Sequence, residues 1–72
     1  MAKRTKLKTL RIKHDLTQSE MAERMGVNRN TISGVESGKS KGSADFWYKL
    51  QTVFNIDGDE LWQMIEEGVE KA

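Results

Sequence analysis

The stretch Thr17–Glu36, TQSEMAERMGVNRNTISGVE, reads as two short helices joined by a tight turn. Thr17 is a good N-cap, and Glu20 three residues later completes a capping box, so a helix starts here. Met21, Ala22 and Met25 then recur at helical spacing and supply one apolar face. Gly26 follows, where a left-handed residue ends a helix at little steric cost, and Val27 suits a buried turn. Asn28 is a second N-cap, opening a helix to about Ser37 with Ile32 and Val35 inward and Gly38 as its stop.

Working outward, residues 3–14 form a first helix with Leu7, Leu10 and His14 on one face and Arg11 beside them. Leu16 packs beneath the turn that follows. Lys3, Arg4 and Lys6 either touch phosphate or form a frayed, solvated arm. On the other side, Ser43 caps a fourth helix with Asp45 in its first turn. Phe46, Trp47, Leu50, Val53 and Phe54 give that helix an apolar stripe, of the kind that is core rather than a base-stacking platform. Asn55-Ile56-Asp57 closes it, Asp57 and Glu60 make a second capping box, and Leu61 and Ile65 continue the core face along a fifth helix. Trp62 and Val69 fall a helical face away, beside Met64 and Ile65, and so small a domain cannot bury them all. An exposed Trp among aliphatic residues marks a protein interface, here Trp62, Ile65 and Val69; the alternative is a Trp lying flat on its own helix pair.

The 72 residues make one all-α domain, near the lower limit of what folds without staples. There is no Cys, hence no disulfide framework and no thiolate metal site, and a reducing cytoplasm suits the chain. His14 is the one histidine, which makes no metal site alone and fits the positive-charge preference of a helix C-terminus. The apolar runs fall far short of the roughly 20 residues of a membrane span, and the basic N-terminus lacks the apolar segment of a signal peptide. Net charge is only +1, but residues 1–41 hold ten Lys or Arg against four acids while residues 42–72 hold two against seven. A basic half is what a polyanion-facing surface needs, with the acidic half turned away from DNA or toward another protein. Ordinary surface charge in two clusters is the plainer alternative.

Two helices joined by three or four residues including a Gly form the helix-turn-helix signature, here at about 17–37. Thr17-Gln18, Met21-Ala22, Gly26-Val27, Thr31-Ile32-Ser33 and Val35-Glu36, followed by Gly38, resemble the Cro/C1-repressor-type helix-turn-helix family. The resemblance extends more weakly, through apolar spacing, over residues 7–65. It implies a five-helix, lambda-repressor-like DNA-binding domain whose third helix is the recognition helix. It also implies a structural ion pair between Arg11 and Glu36, and a Gln18 that reaches phosphate and braces the recognition residues. Phosphate contact by the loop SGKSKGS at 37–43 follows from the family's use of it and from its chemistry, with Lys39, Lys41 and Ser43 as the contacts. On the recognition helix, Asn28, Arg29, Asn30, Thr31 and Ser33 are the expected base contacts: Arg reads guanine, Asn adenine, and Thr or Ser a phosphate or thymine methyl. Gly34 departs from the family pattern, which has a bulky or charged residue there, and either permits a close approach or shortens readout. Gln51 departs too, standing where the family prefers Ala.

The resulting expectation is a sequence-specific transcriptional regulator that acts by occupying an operator, with occupancy itself as output because no effector domain fits in the chain. Double-stranded DNA is the partner, a homodimer is consistent with it, and neither a cofactor nor a membrane is involved. Among small proteins of this type, a phage lytic–lysogenic switch protein is preferred over a restriction controller or an antitoxin. The rival function is a repressor-fold modulator that grips a partner repressor protein and alters its DNA binding, favoured by Gly34, the near-zero net charge and the apolar last helix. An enzyme is not expected: there is one His, no Cys, and neither a phosphate loop nor a nucleophile elbow.

Overall fold

Each segment with helical start and stop signals folds as a helix: α1 (Thr5–Lys13), α2 (Gln18–Met25), α3 (Arg29–Ser37), α4 (Ala44–Phe54) and α5 (Gly58–Glu67). The structure, a computed structural model, describes residues 3–68. Among those residues no strand occurs, and no helix is long and apolar enough to cross a membrane.

Local chemistry sets most boundaries. Thr17 Oγ1 accepts the Glu20 amide at 3.1 Å, and Glu20 Oε1 accepts the Thr17 amide at 2.9 Å, closing the capping box of α2. The Thr17 backbone N–H, and then its side chain, hold the Glu20 carboxyl below the usual carboxylate range. Asn28 and Ser43 cap α3 and α4 with their side-chain oxygens. At Asp57 only the forward half of the expected box forms, Oδ1 accepting the Glu60 amide at 2.8 Å. Gly26 and Gly38 end α2 and α3 in the left-handed conformation, at φ 71° and 84°.

The first helix is the exception. It is shorter than the expected 3–14, because Asp15 turns left-handed at φ 58° and its start lies at Thr5. Arg4, at the N-cap position, makes no side-chain cap. Instead Glu67 Oε1 of α5 accepts the Lys6 amide at 2.7 Å. In return, Arg4 Nε donates to the Met64 carbonyl at 3.1 Å and Nη2 to the Ile65 carbonyl at 3.5 Å, near the end of α5. The two helices therefore cap one another with opposite charges at the ends each macrodipole prefers. Arg4 is neither a phosphate contact nor a frayed arm: it is 1% exposed. Burial pushes the pKa of its guanidinium down and the Glu67 carboxylate pushes it back up.

α1 packs on α5 and α3, α2 on α3 and α4, and α4 on α5. The core between them joins Leu7 and Leu10, Met21, Ala22 and Met25, Ile32 and Val35, Phe46, Trp47 and Leu50, Ile56 and Met64. Burying each of the larger aliphatic or aromatic members contributes about 1.5–3 kcal/mol. Trp47 is core, packed edge-on against Phe46 with ring centroids 5.0 Å apart, and is not a stacking platform. Val53 leaves the expected α4 stripe and is 40% exposed. His14, at the end of α1, is exposed and lies 4.9 Å from the Phe54 ring.

Among the described residues, one ion pair joins two different helices. Arg11 Nε donates to Glu36 Oε2 at 2.8 Å, Nη2 to Oε1 at 3.4 Å, and Nη1 to the Leu16 carbonyl at 2.9 Å. The two side chains are 13% and 8% exposed, so removing one partner strands a charge in a largely dry site. Arg11→Ala should cost about 3–5 kcal/mol in denaturant unfolding, and the Glu36→Ala double mutant should be far from additive. A loss under about 1 kcal/mol would place the pair with ordinary surface bridges.

Gly34 lies inside α3, and a Cβ built there would meet Ser40 Cβ at 3.5 Å, an ordinary contact. No close approach therefore demands glycine at this position. Gly34→Ala should stabilise the domain by up to about 1 kcal/mol through helix propensity, raising Tm by roughly 4–8 °C in a circular-dichroism melt. A fall in Tm would mean that the Ser40 loop cannot accommodate the methyl.

Candidate nucleic-acid interface

Ile32 and Val35 are fully buried, which anchors the inner face of α3 and fixes what its outer face presents. Asn28, Arg29 and Asn30 are exposed at its N-terminal end; Thr31 is half-buried on one flank, and Ser33 and Ser37 are half-buried on the opposite flank. Asn28 is partly committed already: its Oδ1 accepts the Asn30 amide at 2.8 Å, leaving the carboxamide N–H groups for a ligand. Among the described residues Arg29 makes no such commitment, and it is exposed at the helix start, where a recognition helix first meets base edges.

Beside the flank of Ser33 and Ser37 lies a groove of about 230 Å³ lined by Lys3, Lys8, Arg11, Gln18, Ser33, Glu36 and Ser37. It brings together α1, the first residue of α2 and one side of α3. Glu36 forms its floor, and the carboxylate is held by Arg11 and by Gln18 Nε2 at 3.4 Å. Gln18 is thereby oriented from beneath, between the start of α2 and the recognition helix. With Glu36 paired to Arg11, Lys3 and Lys8 leave the rim positively charged, as a phosphate-binding groove requires.

Lys8 was not among the residues expected from the sequence. The signal was available, since Lys8 stands three residues before Arg11 and shares its helical face. Lys3 and Lys6, grouped together in the sequence, part company here. Lys3 lines the groove, whereas Lys6 turns to α5, where its Nζ donates to Gln63 Oε1 at 3.3 Å.

The α3–α4 loop presents Lys39 and Lys41 as exposed side chains. Ser43, next to them, is exposed, but its Oγ accepts the Phe46 amide at 3.0 Å, so only its hydroxyl hydrogen remains to donate outward. On α5, Trp62 is 58% exposed and Ile65 half-buried, in a helix that carries Asp59, Glu60, Glu66 and Glu67. Val69, grouped with them in the sequence, lies outside the described residues.

Comparison with known proteins agrees with this geometry. A helix-turn-helix family model matches residues 7–61. An uncharacterized HTH-type transcriptional regulator of Archaeoglobus fulgidus is 41% identical over 68 residues, covering 83% of this chain and 96% of that protein. One of Methanocaldococcus jannaschii is 34% identical over 59 residues, covering 82% and 89%. The antitoxin PezA of Streptococcus pneumoniae is 40% identical over 50 residues, covering 69% of this chain and 32% of the antitoxin. No solved structure matches significantly. With a family model matched over more than half its length and two relatives aligned nearly end to end, this chain belongs to the Cro/C1-type helix-turn-helix family of DNA-binding transcriptional regulators.

Proposed function

We propose that this regulator binds a specific operator and acts by occupying it. The observation that carries this is the convergence of the α3 flank and the basic rim of the groove on one surface. Arg29 is assigned to guanine, Asn28 and Asn30 to adenine edges, and Thr31 and Ser33 to a thymine methyl or a neighbouring phosphate. Gln18, Lys39, Lys41 and Ser43, joined by Lys3 and Lys8, hold the backbone and set the register.

A titration of duplexes across a range of salt separates these roles. Lys8→Ala, Lys39→Ala and Lys41→Ala should each weaken every duplex about equally and lower the slope of log affinity against log salt by about one. Arg29→Ala should cost about 1–3 kcal/mol on the preferred site and much less on random sequence. Equal losses on both duplexes would make Arg29 a backbone contact.

A second role belongs to α5. The largely exposed Trp62, with Ile65 beside it among acidic side chains, is suited to protein and not to DNA. We assign this face to a second copy of the chain, which lets two recognition helices address half-sites about one helical turn apart. A partner repressor protein is the alternative occupant. Trp62→Ala should reduce dimerisation in sedimentation equilibrium while the helical circular-dichroism signal persists. A wild-type chain that is monomeric and forms an equimolar complex with a repressor domain, lost in Trp62→Ala, would favour the modulator instead.

A further inference from the structure

The loop Gly38–Ser43 carries two lysines among Ser and Gly, a composition that by itself would leave its backbone free to move. Its carbonyls are nevertheless tied down from inside the domain. Arg4 Nη1 donates to the Ser40 carbonyl at 2.7 Å and to the Val35 carbonyl at 2.9 Å, and Nη2 to the Lys41 carbonyl at 3.5 Å. The Arg4 backbone N–H donates to the Glu36 carbonyl at 2.8 Å. Trp47 Nε1 donates to the same Lys41 carbonyl at 3.1 Å, and the Arg4 guanidinium lies 5.3 Å from the Trp47 ring centroid. Gly42 follows at φ 75°, where a Cβ would sit 2.8 Å from Trp47 Nε1, so the chain closes directly onto the indole.

We propose that Arg4 is a positioning residue for DNA binding: its buried guanidinium fixes the main chain that presents Lys39 and Lys41 to phosphate. This rests on the assignment of those lysines to the DNA backbone. The side chains of Lys39 and Lys41 are outside while the carbonyls of Ser40 and Lys41 are held within, so the loop meets DNA already ordered. Only arginine suits the position. Its planar fork of five donors serves the end of α3, the loop and the end of α5 at once, whereas an ammonium has three donors and no fork.

The test compares wild type with Arg4→Lys, Trp47→Phe, Lys39→Ala and Lys41→Ala, by duplex titration across salt and by amide exchange. Arg4→Lys should retain its helical signal yet lose about tenfold in duplex affinity, with the salt slope lowered by up to about two as both lysines lose register. Amides 39–42 should exchange faster while those of α2 and α3 stay protected, which a general loss of stability would not produce. Trp47→Phe removes one donor to the Lys41 carbonyl and keeps a ring, so it repeats the test in a smaller form, about threefold, should Arg4→Lys fail to fold. If the lysine variants lower the slope while Arg4→Lys and Trp47→Phe keep wild-type affinity and slope, Arg4 is structural only and the proposal falls. If the lysine variants leave the slope unchanged, the loop does not touch DNA, and the phosphate assignment falls together with the proposal.

Discussion

Glu36 places a carboxylate on the inner side of the recognition helix, 8% exposed. A charge so placed is costly unless it is paired and hydrogen-bonded. Its partners come from two other helices, Arg11 from α1 and Gln18 from the first turn of α2. Satisfying that single carboxylate therefore fixes α3 relative to both. Arg11 also reaches the Leu16 carbonyl, so the same guanidinium sets the chain's path from α1 into α2. The apolar core would hold the helices together without this pair, but its contacts are non-directional and tolerate small rotations. The ion pair adds the directional constraint, and it lies at the floor of the groove that α3 shares with Lys3 and Lys8.

A second buried cation does comparable work at the same, C-terminal end of α3. Arg4 collects carbonyls from α3, from the following loop and from α5, and Glu67 answers from α5 to the open start of α1. Among the described residues no buried side-chain polar atom lacks a partner, which is what keeps two arginines and a glutamate tolerable in so small a core. The consequence is a division of surfaces. Of the exposed cations, Lys3 and Lys8 stand at the groove and Lys39 and Lys41 on the loop, while Trp62 shares its helix with the exposed Asp59, Glu60 and Glu66. A modest net charge of +1 thus coexists with a basic groove.

Much of this was legible in the residues. The caps at Thr17, Asn28, Ser43 and Asp57, the left-handed glycines at 26 and 38, and the apolar spacing of Met21, Met25, Ile32 and Val35 act within a turn or two of chain. Interactions of that range depend on sequence separation alone, so they specify five helices and a helix-turn-helix without reference to the rest of the molecule. The exposed start of α3 follows from the same periodicity, once Ile32 and Val35 are recognised as core.

What the sequence could not decide is where charged side chains go when the partner is far along the chain. Arg4 stands among Lys3 and Lys6 as one more basic residue, yet the three separate into a groove contact, a buried clamp and a neighbour of Gln63. Arg4 meets its carbonyls 31 to 61 residues away, and nothing in its neighbours announces them. Lys8 joins the groove only because α1 lies against α3. The sequence by itself determined the five helices, most of their apolar faces and the family, though Met64 and not Leu61 or Ile65 is the buried residue of α5. The tertiary structure alone decided which cations are buried inside and which remain exposed, because burial and pairing of a charge depend on groups that only folding brings within hydrogen-bond distance.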